Sequence, residues 1–104
     1  MNKEEILLEI KDRLAKVYGS RLVEVILYGS VARGEEHEDS DIDVLVLLEG
    51  PVNLGDDLMT NINTLYPLTL KWGHSISPKP VDVEEYRTYD CPLFRSVREE
   101  GISA

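Results

Sequence analysis

The amino-acid sequence predicts an α/β (α+β) domain built on a small mixed sheet flanked by helices. Three observations predict it. Two apolar runs rich in Val, Ile and Leu, residues 22–28 and 42–48, have the length and composition of strands. Segments of helical periodicity, with capping residues at their starts, alternate with these runs. Breakers separate the two kinds of segment: Gly19, Gly29, Gly50-Pro51, Gly73 and Gly101.

Taken in order, Asn2 followed by Glu5 has the pattern of a capping box, and Ile6, Ile10, Leu14 and Val17 recur near helical spacing. Gly19 ends that helix, where a left-handed residue is tolerated best. Residues 22–28 form the first strand, with Glu24 its one charged residue, and Gly29 breaks it. Residues 42–48 are almost wholly apolar, as in a strand covered on both faces. Asp56 or Asp57 caps a second helix carrying Leu58, Ile62 and Leu65. Pro67 kinks or restarts it before Lys71-Trp72-Gly73 closes it. Residues 76–81 form a third strand, which Pro78 and Pro80 make an edge or an interrupted one. Asp82 with Glu85 repeats the capping-box pattern for a short turn through Tyr86. A last helix runs from Pro92 to Gly101.

The length of 104 residues bounds a single domain, 1–104. No apolar run approaches the ~20 residues needed to cross a bilayer, and the acidic start Met1-Asn2-Lys3-Glu4-Glu5 is not a signal peptide. No membrane association is expected. One cysteine, Cys91, excludes an intrachain disulfide and suits a reducing, cytoplasmic compartment. Twenty acids against 11 Lys and Arg give a net charge of −9. That surface repels duplex nucleic acid on average, which argues against a processive polymerase. A small nucleotide is different, because a bound divalent metal reverses the local field. The acidic balance also admits a basic protein partner.

The chemistry is concentrated in Tyr28-Gly29-Ser30-Val31-Ala32-Arg33-Gly34, followed after a short loop by Asp39-Ser40-Asp41-Ile42-Asp43. Residues two apart in a strand share a face, so Asp41 and Asp43 point together while Ile42 points into the core. Two adjacent carboxylates repel unless a cation lies between them, and oxygen ligands on a fixed element suit Mg²⁺ or Mn²⁺. Gly29 lets backbone approach a phosphate, the Ser30 hydroxyl is a donor to a terminal phosphate oxygen, and Arg33 offers a bidentate fork. Tyr28 either stacks on a base or packs in the core.

This constellation resembles the nucleotidyltransferases of the DNA polymerase β superfamily, whose signature is Gly-Ser, about ten residues, then Asp-x-Asp. The string GSVARGEEHEDSDIDVLV is similar to the minimal nucleotidyltransferase family in particular. The resemblance implies a polymerase β-like nucleotidyltransferase fold. It also implies metal ligation and catalysis by Asp41 and Asp43, nucleotide binding by Gly29, Ser30 and Arg33, and ATP as the substrate. Family members pair with HEPN-domain toxins, and some silence them by adenylylating a toxin tyrosine. The resemblance therefore implies an antitoxin with a HEPN partner. A homo-oligomer is left open. The alternative is a catalytically weak or inactive member that neutralises its partner by binding.

One part of the family pattern is missing. Active members generally carry a third acid early in the strand after the second helix, but here that strand opens Gly73-His74-Ser75-Ile76-Ser77-Pro78. Asp82 is the nearest following carboxylate, and its context suits a helix cap. His74 is a substitute base, since an unperturbed imidazole titrates near neutrality. His37, in an acidic loop, is assigned no role.

Overall fold

The computed structural model describes residues 2–104. Helix α1 (Lys3–Tyr18) starts at Asn2, whose side chain accepts the Glu5 N–H. A single 3₁₀ turn, Gly19–Arg21, leads into β1 (Leu22–Tyr28), which passes directly into the short α2 (Gly29–Arg33). Then come β2 (Ile42–Leu48), α3 (Leu54–Trp72), β3 (Ile76–Asp82), α4 (Val83–Thr88), α5 (Pro92–Glu100) and β4 (Ile102–Ser103). No helix among the described residues is long and apolar enough to cross a membrane.

The four strands form one mixed sheet in the order β3-β2-β1-β4, with β2 parallel to β3 and the other pairs antiparallel. Alternation along β2 sorts its side chains into two layers. Ile42, Val44, Val46 and Leu48 face α1 and α3, packing with Ile6, Leu7, Ile10, Leu14, Leu65 and Leu68. Leu45 and Leu47 face the other way, under Val81, Val83, Phe94 and Val97 of β3, α4 and α5. That second cover stops short of the start of β2, so Asp41 is exposed and Asp43 only half-buried.

Several local expectations are corrected. The cap of α3 is Asn53, whose side chain accepts the Asp56 N–H, and neither Asp56 nor Asp57 serves. Asp57 is instead buried and holds Arg21 through two bonds of 2.9 and 2.8 Å. Pro67 does not restart the helix: α3 runs unbroken through it. The carbonyl deprived of a donor is that of Asn63, an exposed residue. Val17 and Ile62, assigned to apolar faces, are exposed. The two-residue β4 is too short to carry a sequence pattern.

Strand β3 is an edge, and its prolines fall where they cost no ladder bond. Ser75 C=O accepts the Ile42 N–H, so odd-numbered backbone groups of β3 turn toward β2. Pro78 and Pro80 therefore aim their ring nitrogens outward. The outward carbonyl of Pro78 accepts from the fully buried Asn61 side chain at 3.0 Å.

Candidate active site

The turn from β1 into α2 puts Gly29 at φ +78°, a conformation open to glycine and strained for other residues. A Cβ built on Gly29 would stand 2.5 Å from Asp43 Oδ2, so the Asp43 carboxylate lies against the Gly29 backbone. Buried Val31 and Ala32 anchor α2 to the core, and Lys3 Nζ donates to the Ala32 carbonyl at 3.1 Å. Tyr28 is the cross-strand partner of Asp43 and packs at the rim of the second core layer.

Burial pushes the Asp43 carboxyl above its usual range, the neighbouring Asp41 charge adds to the effect, and Arg33 opposes it. Burial and Asp43 likewise push the Tyr28 phenol up. An anionic pair held this way is what a hard divalent cation relieves, so the chemistry of these two carboxylates fits a divalent metal.

The loop before Asp41 is folded on Ser40, a residue that sequence reasoning passed over. Ser40 is buried; its Oγ accepts the His37 N–H at 2.8 Å, and its N–H donates to the His37 carbonyl at 3.0 Å. His37 Nδ1 in turn accepts the Asp39 N–H at 3.2 Å. His74 Nδ1 lies 2.9 Å from the Ser40 carbonyl. A carbonyl only accepts, so Nδ1 carries the proton and the neutral ring has its basic nitrogen at Nε2.

The parallel register decides which residues of β3 share the carboxylate face. Ser77 is the partner of Asp43, while Asp82 pairs with Leu48 at the far end of both strands. Asp82 Oδ1 accepts the Glu84 N–H at 2.9 Å as the cap of α4. His74 shares the alternation of Ile76 and lines a hollow of about 480 Å³ with Asn2, Glu5, Ile6, Lys71 and Trp72, on the side of α1 and α3. The structure thus gathers Gly29, Ser30, Arg33, Asp41 and Asp43 at one end of the sheet. It does not bring Asp82 to them, and it sets His74 behind the loop that leads into Asp41.

A sixth residue, with no local signal in the sequence, reaches this place from the end of α5. Glu100 Oε1 accepts the Gly29 N–H at 3.4 Å, and Arg33 Nη1 donates to both Glu100 oxygens at 3.2 and 3.0 Å. Arg33 Nε meanwhile donates to Glu35 at 3.0 Å. Of the two arginines of α5, Arg95 pairs with Asp90 and Arg98 stacks on Tyr86, 4.8 Å from the ring centroid.

Comparison with known proteins gives a consistent picture. A family model described as a nucleotidyltransferase domain matches residues 4–103. "Putative protein adenylyltransferase MJ0604" of Methanocaldococcus jannaschii is 35% identical over 103 residues, covering 97% of this chain and 96% of that protein. A solved structure described as a "putative minimal nucleotidyltransferase" aligns with a TM-score of 0.60 at 28% identity, over 98% of this chain and 95% of its own. Another, described as a "toxin-antitoxin with AMP-PNP", aligns with a TM-score of 0.64 over 91% of this chain and 69% of its own. At 19% identity the latter likeness is one of fold.

Proposed function

The chain belongs to the nucleotidyltransferase domain family, and we propose that it transfers AMP from ATP to a hydroxyl on a partner protein, a tyrosine of a HEPN-type toxin, in the cytoplasm. The observation that carries this reading is the Asp43 carboxylate lying directly on the Gly29 backbone. It unites metal-ligand chemistry and a phosphate-binding turn in one place. The similarity to a protein adenylyltransferase supports a protein acceptor. The fold shared with a toxin-antitoxin structure supports a toxin partner.

In this reading Asp41 and Asp43 hold Mg²⁺ or Mn²⁺. Bound there, the metal supplies neutralising charge to the phosphates and Lewis acidity toward the reacting oxygens. The Gly29 N–H and the Ser30 hydroxyl bind the triphosphate, and Arg33 binds its charge with a planar fork. No carboxylate of β3 joins them, because Ser77 stands opposite Asp43. The acceptor proton therefore passes to solvent without a third acid, as the acceptor oxygen bonds the α-phosphorus of ATP and pyrophosphate leaves. A phenol, with a pKa of about 10, gives it up far more readily than an aliphatic alcohol does. The same serine favours the second reading, a nucleotide-binding protein that neutralises its partner by covering it.

Incubation with α-labelled ATP, Mg²⁺ and the candidate toxin separates the two. Transfer of label to a toxin tyrosine is expected, and the double variant Asp41→Asn/Asp43→Asn should lower it by on the order of a hundredfold or more. That variant should stay folded and melt slightly higher in chelator, because the like-charge repulsion is gone. Tight toxin binding with no label in any condition would establish the second reading.

A further inference from the structure

Two of the donors assigned above to the triphosphate already have an anion on them. The Glu100 carboxylate takes the Gly29 N–H at 3.4 Å and both of its oxygens meet Arg33 Nη1, at 3.2 and 3.0 Å. A carboxylate bound by a guanidinium and a backbone N–H presents the same acceptor chemistry as a phosphate edge. We propose that Glu100 is an internal competitor for the triphosphate: its pairing with Arg33 and Gly29 excludes nucleotide from those donors, so the side chain must leave as ATP enters. This rests on the reading of Gly29 and Arg33 as part of the triphosphate seat.

The placement of Glu100 is a product of the whole fold. It ends α5, which is held to the sheet by buried Phe94 and Val97. The chain then turns at Gly101, where a Cβ would collide with the Val97 carbonyl and the Ile26 side chain. Immediately afterwards Ile102 and Ser103 pair with Leu27 and Ile26 of β1. The backbone on both sides of Glu100 is thus fixed, and only its side chain is left to move. With its side chain 23% exposed, it has a path to solvent. The Arg33 Nε separately bonds Glu35, a contact that does not depend on Glu100. Glu100 acts through Arg33 and Gly29, and is a positioning residue that sets nucleotide affinity.

Calorimetric titration of the full chain with MgATP tests this, using wild type, Glu100→Gln and Glu99→Gln. Glu99 is the exposed neighbour of equal charge and serves as the control for bulk electrostatics. Glu100→Gln should tighten binding by about three- to tenfold, the scale expected when one partly exposed charge-assisted contact stops competing. The nucleotide-free melting midpoint of the same variant should fall slightly, because the ion pair to Arg33 is lost. Opposite signs for affinity and stability are not produced by a merely structural role. Inorganic tripolyphosphate, titrated alone, should rank the three proteins in the same order, since the competition concerns phosphate oxygens and not the base. Equal or weaker binding by Glu100→Gln overturns the inference, as does an equal gain in Glu99→Gln. Should MgATP bind wild type, be lost in Ser30→Ala/Asp43→Asn, and ignore Glu100, this inference alone falls. Should neither wild type nor Glu100→Gln bind MgATP or tripolyphosphate, the triphosphate seat itself is wrong and the competitor goes with it.

Discussion

At the scale of single residues, Gly29 carries two demands that no other side chain meets together. Its φ of +78° strains any residue with a Cβ, and that Cβ would meet Asp43 Oδ2 at 2.5 Å. Gly29→Ala should therefore cost roughly 2–4 kcal/mol, combining left-handed strain with overpacking. It should also abolish transfer by displacing Asp43, as thermal melts and the labelling assay would report. A variant with wild-type melting and activity would remove the close Gly29–Asp43 contact from the account. The sequence grouped Gly-Ser and Asp-x-Asp as local patterns on adjoining apolar runs, but the contact of Gly29 with Asp43 emerges only in the fold. Ser40 was less so: its hydroxyl matters only once the loop has curled to put the His37 N–H beside it. Glu100 could not be read at all, for nothing near it in the chain announces Arg33 or Gly29.

At the scale of elements, the register of β2 against β3 settles what the sequence left open about a third acid. The sequence offered His74 and Asp82 as candidates and did not fix which residue of β3 faces the carboxylates, since a strand boundary uncertain by one residue reverses the faces. Pairing of Asp43 with Ser77 removes that ambiguity. Ser77→Asp should place a carboxylate beside Asp43. It should raise the transfer rate at neutral pH by at least about tenfold, within the usual range of a positioned general base. The alkaline rise expected for a tyrosine acceptor without a base should flatten in the same variant. In chelator it should melt lower than wild type, since a third negative charge joins an unrelieved pair. A rate unchanged across pH would show that proton removal is not what limits the reaction. Capping followed a similar logic. Asn53 with Asp56 repeats the spacing of Asn2 with Glu5, a signal that was present but masked by the two aspartates downstream.

At the scale of the whole molecule, one polar network ties the elements that the site depends on. Arg21, at the entry to β1, grips Asp57 of α3 with two bonds and the Glu49 and Pro51 carbonyls with two more. Tyr18 of α1 donates to the Asp57 carbonyl and to Asn61, which continues to Pro78 of β3. The hydrogen bond from Arg21 is the main reason the Asp57 carboxyl sits below its ordinary range, with the Asn53 N–H helping and burial opposing. A carboxylate whose folded pKa is depressed stabilises the fold above its unfolded value, about 3.9, and loses that contribution as pH falls through the folded one. Asp57→Asn should cost about 1–2 kcal/mol at pH 7, less than the roughly 3–5 of a fully buried pair because Arg21 remains partly exposed. The gap to wild type should close as pH drops below about 4, a trend that denaturant melts across pH would follow. A gap independent of pH would assign the loss to packing and not to charge. The prolines of β3 bear on how this molecule meets others. With Pro78 and Pro80 turned outward, half of the outward backbone positions of that strand lack a hydrogen to donate. The opposite border, β4, offers only two residues. The β3 flank is therefore a poor template for a foreign strand, while on the other flank β4 covers only Ile26 and Leu27 of β1.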